Sequence, residues 1–430
     1  MQDHDDGSAR AIAEGQSATP IAIAGDSRIA SLDLIRGLAV MGILFANIIA
    51  FGQPMSAYLY PAAFAVPHSM AEDWMWVAQL VLVDGKMRGL FTLLFGAGMY
   101  LFLEKAWARG QGIWLQVQRL FWLALFGLAH FFFLWRGDIL FLYACAGTAA
   151  LLFVGLPRLH QLVLGVLGYI GGALLYAGFV GFLPMVADGD LGQRPAYSQM
   201  ATDLEADKQT NLADGRFETE LIAGGDYHGW VAHNLAAHGG DLLFNLLMSW
   251  FETLPLMLIG MAAYRYGLFD GRLDARRQRL WGWALFLAGT MFTVPVALWA
   301  ETGGLTYYGT LAAVVGWSML PRGLAILGLV ALLALWGRHA HGPLVGRIAA
   351  AGRAAFTNYL GTSVLMLLLF HGWAGGLFGR LGRSELYLVA LTTCALMLLW
   401  SKPWLDRFRF GPLEWLWRCL TYRRLFPLRR

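Results

Sequence analysis

Four basic residues, Arg36, Lys86, Arg88 and Arg322, stand at or inside the ends of long apolar runs. A charge at membrane depth costs at least about 2.5 kcal/mol on insertion scales, so each needs a partner or a task. Snorkelling to the headgroups is the plain alternative for any one of them. Their neighbours add chemistry. Asp33 precedes Arg36 by three residues on one helical face and can pair with it, while Ser31 is placed to cap the helix. Asn47 follows Arg36 by eleven residues, or three helical turns, on that same face. A buried asparagine must find partners and usually turns inward. Asp84 and Arg88 are four apart and are expected to neutralise each other, with Lys86 pointing elsewhere. His130 lies near the turn Arg136-Gly137-Asp138, where Arg136 and Asp138 are expected to form a tight polar turn and Asp138 to cap the next helix. A hydrogen-bonded core histidine is the plain reading of His130; beside these groups it becomes a candidate general base. Glu252, next to Pro255, must be paired or protonated.

The elements that hold these groups follow from composition. The chain has 430 residues, 58% apolar and 14% charged, with mean hydropathy +0.53. Soluble domains carry about 25% charge. Long apolar runs recur near the length a bilayer requires, about 20 residues each. Barrel strands would alternate over about 10 residues, and no such pattern occurs. The expected fold is therefore all-α, a polytopic transmembrane helical bundle of about ten spans. They fall near 34–52, 84–103, 119–135, 138–156, 161–184, 242–264, 281–300, 322–337, 354–373 and 384–401. Residues 72–83 read as an interfacial helix, and 305–320 as a re-entrant segment or an eleventh span. Gly168 and Gly172, four apart, form a close-packing signature.

Arginine and lysine orient the bundle. With both termini cytoplasmic, twenty-two basic residues lie inside and six outside. The net charge of +4 reflects this bias and not a nucleic-acid footprint. Four regions result: a polar cytoplasmic tail at 1–30, a five-helix half at 31–186, an acidic extracytoplasmic loop at 187–241, and a second five-helix half with a basic tail at 242–430. The loop carries ten acids against three bases, and its stretch 200–220 reads as an exposed helix or a mobile segment. The tail lacks a basic-then-apolar signal layout, so the first run is expected to remain as a span. Three cysteines form no CxxC pair. His228, His233 and His238 recur at intervals of five, which spreads them around a helix, and no metal site is expected. No HExxH, GxSxG or P-loop occurs.

Five blocks, SLDLIRGLAVMGILFANI, DGKMRGLFTLLFGAG, HFFFLWRGDILFLYACAG, GRAAFTNYL and GPLEWLWRCLTY, resemble the signature stretches of YeiB-type membrane proteins. That family's C-terminal half is known as a domain of unknown function. Within the N-terminal half, DLIRG followed by an apolar helix is similar to span one of transmembrane acyltransferases of the heparan-α-glucosaminide N-acetyltransferase and acyltransferase-3 groups. Those enzymes pass an acyl group from cytosolic acyl-CoA to a sugar or glycan outside. In the acyltransferase-3 group a catalytic histidine stands eleven residues after the arginine; here that residue is Asn47. The glucosaminide group has asparagine there and its histidine further on, a place that His68 or His130 would fill.

The resemblance implies a multi-pass protein of a bacterial plasma (inner) membrane, with the lipid bilayer as its surroundings and acyl-CoA as co-substrate. No tightly bound cofactor is expected, and oligomers remain compatible with such a bundle. Arg36, Asp33, Lys86 and Arg88 would serve the donor, Asn47 the thioester carbonyl, and His130 or His68, with Asp138, the proton of a glycan or lipid acceptor. All are expected to meet in one solvent-reachable cavity. A transporter of a small anion or lipid, with Glu252 and Asp138 as coupling groups, is the alternative, followed by a non-catalytic membrane protein.

Overall fold

A computed structural model describes residues 30–430, so the expected tail, with Arg10 and Arg28, lies outside the described residues. Fifteen helices carry the argument. The first six are α1 (Ala30–Gly52), α2 (Met70–Leu82), α3 (Lys86–Trp107), α4 (Trp114–Phe133), α5 (Leu140–Ala150, extended by a 3-10 turn to Phe153) and α6 (Arg158–Phe179). Outside the apolar runs follow α7 (Ser198–Ala223) and α8 (Tyr227–Ala237). The second half contains α9 (Asp241–Arg265), α10 (Ala275–Thr302), α11 (Met319–His339), α12 (Pro343–Arg353), α13 (Ala355–Phe370), α14 (Arg383–Arg407) and α15 (Pro412–Tyr422). Among the described residues the fold is all-α, a polytopic helical bundle, and its one extended pairing is an isolated bridge between Phe408 and Arg429.

Every expected span falls on a helix, yet fewer than ten suffice alone to cross a bilayer. Seven are long and apolar enough: α1, α4, α6, α9, α10, α11 and α14. The pair α12 and α13 would make an eighth but bends by 82° at Ala354. Of the other two expected spans, α3 carries charges near both ends, and Leu140–Phe153 is shorter than a bilayer requires. The 305–320 stretch is no separate span. Tyr307–Leu311 leads through a π-turn, Ala312–Trp317, into α11. The 200–220 stretch of the acidic loop is helical, lying wholly within α7.

α1, α3 and α9 run through the centre and contribute to both large apolar cores. One core gathers Ile48, Leu103, Tyr143, Met257 and Phe370; the other gathers Ile35, Leu90, Ile259, Ile326 and Met319. In lipid, such packing is driven by close contact more than by water exclusion, so small residues decide which helices touch. Gly96 and Gly260 let α3 and α9 meet backbone to backbone: a Cβ on Gly260 would lie 2.0 Å from the Leu93 carbonyl oxygen. Gly352 does the same for α12 and α1, where an added Cβ would stand 1.8 Å from the Asp33 carbonyl. Gly172 and Gly168 of α6 face Phe251 and Pro255 of α9. The Gly352 contact positions the site described next, since it brings the start of α1 against the break in the α12–α13 pair.

Candidate functional site

The Gly352 crossing, the C-terminal end of α3, the N-terminal end of α4 and the amphipathic α15 enclose a cavity of about 290 Å³. Its mouth presents Arg36, Lys105, Arg119, Arg353 and Arg418, against Asp33 and Glu414 among the lining residues. All five cations belong to segments whose charge assigns them to the cytoplasmic side. Arg36 donates to Asp33 at 3.0 Å and keeps part of its side chain exposed. The Arg119 guanidinium stacks 4.0 Å above the Phe102 ring and 4.7 Å above that of Trp417. Deeper in, the walls turn apolar and aromatic, with Phe91, Leu94 and Phe95 leading to Tyr143 and Tyr359.

Glu414 of α15 braces the mouth. The bend at Ala354 leaves the first N–H groups of α13 without helical partners. The Phe356 and Thr357 N–H groups donate to Glu414 Oε1 at 2.7 and 3.1 Å, and the Thr357 hydroxyl to Oε2. Burial raises the Glu414 pKa, and the bonds from Thr357 and Phe356 oppose the rise.

Behind the blind end lies a buried polar chain. Ile139, Tyr143 and Tyr359 line the cavity; His130, packed 5.2 Å from the Tyr359 ring, does not. His130 Nδ1 is 2.8 Å from Asp138 Oδ1, and its Nε2 is 2.8 Å from the Ser363 hydroxyl. Asp138 Oδ2 accepts the Phe141 N–H at 2.7 Å, fixing the carboxylate at the start of α5. With Asp138 as carboxylate, Nδ1–H donates to it and Nε2 accepts from Ser363. Such a histidine is oriented to take a proton at Nε2. Its opposite side faces Trp135, at 6.2 Å, which lines a second pocket of about 50 Å³ with Arg136, Glu218 and His371.

The expected residues thus separate into several places. Asp33 and Arg36 line the cavity, and His130 with Asp138 sits beyond its end. Asn47 is half-buried on α1 and lines neither pocket. Lys86 is buried, its Nζ donating to the Leu80 carbonyl at 3.0 Å. Arg88 pairs with Glu252 and not with Asp84, which accepts from Gln79 at 2.8 Å. Glu252 is shared with Arg322 at 3.2 Å, and Arg322 also donates to the Val314 carbonyl that the π-turn leaves available. Glu252 thus serves both arginines, and Lys86 is held by a backbone carbonyl, so each buried charge has a polar partner. Arg136 pairs with Glu218 of α7, leaving Asp138 to His130. Ser31 donates to the Phe269 carbonyl and caps nothing. His68 pairs with Asp73 at 2.9 Å, away from both pockets; burial and the Arg383 cation lower its pKa. The single cavity expected for all of them is corrected to one inward cavity, one buried relay and one separate network of paired and hydrogen-bonded charges.

Ser363 and Arg119 were not among the expected site residues, and Tyr359 and Glu414 entered only within the blocks GRAAFTNYL and GPLEWLWRCLTY. A serine in the apolar run YLGTSVLML was the available signal for the first. No local pattern reveals what α15 folds against.

A YeiB protein of Escherichia coli (strain K12) is 32% identical over 406 residues, covering 92% of this chain and 97% of that protein. The chain belongs to the YeiB family. A YxaH protein of Bacillus subtilis (strain 168) is 29% identical over 417 residues, covering 94% of this chain and 96% of its own. A 39.9 kDa protein from the amylase 3' region of Bacillus acidopullulyticus is 27% identical over 414 residues, covering 95% and 97%. The family model described as a protein of unknown function (DUF418) matches residues 263–424. No solved structure matches. The DUF418 region of this YeiB-family chain supplies Arg353, Tyr359, Ser363, Glu414 and Arg418, whereas Arg36, His130 and Asp138 come from before it.

Proposed function

We propose that the protein is a transmembrane acyltransferase of a bacterial inner membrane, moving an acyl group from cytosolic acyl-CoA to a glycan or lipid acceptor outside. One observation carries this reading: a cation-rimmed, aromatic-walled cavity ends against the His130–Asp138 pair. Five cations against two carboxylates suit a polyanion such as the phosphates of CoA. The cavity beneath has room for an arm and its acyl group, with the nucleotide left at the mouth. His130 Nε2 takes the acceptor hydroxyl (or amine) proton while its oxygen or nitrogen attacks the thioester carbonyl carbon. The bond to the acceptor forms, the carbon–sulfur bond breaks, and the proton passes to the departing thiolate. Ser363 holds the position of the acceptor hydroxyl at Nε2 until the acceptor arrives. Tyr359 is the partition that must move.

Incubating the purified protein with radiolabelled acetyl-CoA and membrane lipid or glycan extracts tests this directly. Labelled product that disappears in His130→Ala supports it; no product and no acetyl-CoA binding removes it.

The break at Ala354 supports the transporter reading, since broken helices hold substrate anions at half-helix N-termini. Here that N-terminus is occupied by the chain's own Glu414. Proteoliposome uptake without acyl-CoA would favour transport.

A further inference from the structure

On the outer side, Asp214 of α7, His233 of α8 and His238, just beyond α8, converge with ligand atoms all within 4.8 Å of one another. His233 Nε2 lies 2.8 Å from Asp214 Oδ1, and His238 Nε2 lies 3.3 Å from Asp214 Oδ2. All three side chains are partly exposed, so solvent ions reach them.

Two features distinguish this group from ordinary loop hydrogen bonding. His238 Nδ1 is 2.9 Å from Asp241 Oδ2. A carboxylate behind a histidine is the outer-shell arrangement that fixes tautomer and aims the opposite nitrogen at a metal. That opposite nitrogen, His238 Nε2, is buried and has no hydrogen-bond partner, because Asp214 lies near it without bonding geometry. It stands with His233 Nε2 and the Asp214 carboxylate, the three ligand atoms all within 4.8 Å of one another. The local charge agrees. Asp214, Glu218 and Asp241 surround one guanidinium, Arg136, which is engaged by Glu218 and stays 3.9 and 3.8 Å from the other two. Two negative charges remain for a cation to balance when the imidazoles are neutral.

We propose that Asp214, His233 and His238 bind a divalent transition metal, zinc by ligand type, through one carboxylate oxygen and two imidazole Nε2 atoms. Two histidines and a carboxylate with a fourth place for water form an established zinc donor set. The ion would tie α7 to α8 and to the start of α9, holding the acidic loop over Arg136 and the outer pocket.

The test uses the full chain in detergent, with any affinity tag removed and the protein stripped with chelator. Zinc chloride titrated by calorimetry, with cobalt(II) absorption as a second reading, should show one saturable site, a higher melting temperature and a tetrahedral cobalt spectrum. His238→Gln should weaken zinc binding by about 10-fold to 100-fold, and His233→Ala should do the same. Asp241→Asn, which removes only the outer-shell carboxylate, should give a smaller loss on a normally folded chain. Absence of saturable zinc binding overturns the proposal, as does binding that His238→Gln and His233→Ala leave unchanged. If one variant fails to fold, the cobalt spectrum of the parent still decides: an octahedral spectrum, without imidazole ligation, counts against the site.

Discussion

His130 and Ser363, 233 positions apart in sequence, meet at 2.8 Å inside the bundle with neither side chain open to solvent. Asp138 stands on the other ring nitrogen, so the three groups form a hydrogen-bonded line from α13 through α4 to the start of α5. The line begins one helical turn beyond Tyr359, at the blind end of the cationic cavity.

If this line handles the acceptor proton, Asp138→Asn should lower acyl transfer by about 10²-fold to 10⁴-fold, because the histidine loses its fixed tautomer. Binding of acetyl-CoA should stay within a few-fold of the parent. Single-turnover transfer alongside equilibrium binding separates the two effects. Equal loss of both would assign Asp138 to folding.

Arg36→Ala should weaken acyl-CoA binding about 10-fold, roughly 1.4 kcal/mol, with a smaller change at saturating donor. Arg88→Ala, in the outer network, should leave donor affinity unaffected. Binding measured over a salt series should show a shallower dependence in Arg36→Ala, since one phosphate contact is gone.

Glu414→Ala removes the side-chain acceptor of the Phe356 and Thr357 N–H groups at the start of α13. Loss of such a cap costs about 1–2 kcal/mol. A thermal melt in detergent should fall accordingly, and Glu414→Gln should recover part of the loss.

Gly352→Val places side-chain atoms where the Asp33 carbonyl already stands. Overpacking of this kind costs about 1–3 kcal/mol, and here it also moves α1 away from the cavity rim. Reduced stability together with weakened donor binding is the expected result. Gly361→Val, at an open position on α13, is the control.

Helix positions were legible because they rest on local quantities, and the expected sidedness rests on the same kind. Hydropathy sums along a run, and Arg265, Arg272 and Arg276 sit between spans wherever those spans go. The Asp33–Arg36 pair was legible for the same reason, being one turn of one helix. Pairings that cross helices were not. Asp84 and Arg88 satisfy the i,i+4 rule on paper, but the helix starts only at Lys86, and Arg88 turns toward Glu252 on α9. Arg136 left its near neighbour Asp138 for Glu218 of the outer loop, which freed Asp138 for His130. Asn47 shares a face with Arg36 by periodicity, yet the cavity closes on Tyr143 and Tyr359 before reaching it.

By itself, the sequence determined that the protein is a helical membrane bundle of the YeiB family, and it singled out Arg36, His130 and Asp138 as polar residues at or inside apolar runs. Only the tertiary structure decided their company. The reason is physical: insertion energies add residue by residue along a helix, whereas the meeting of two side chains depends on helix rotation and on how closely backbones approach. Glycines such as Gly352 and Gly260, and the bend at Ala354, set that approach, and no local sum contains it.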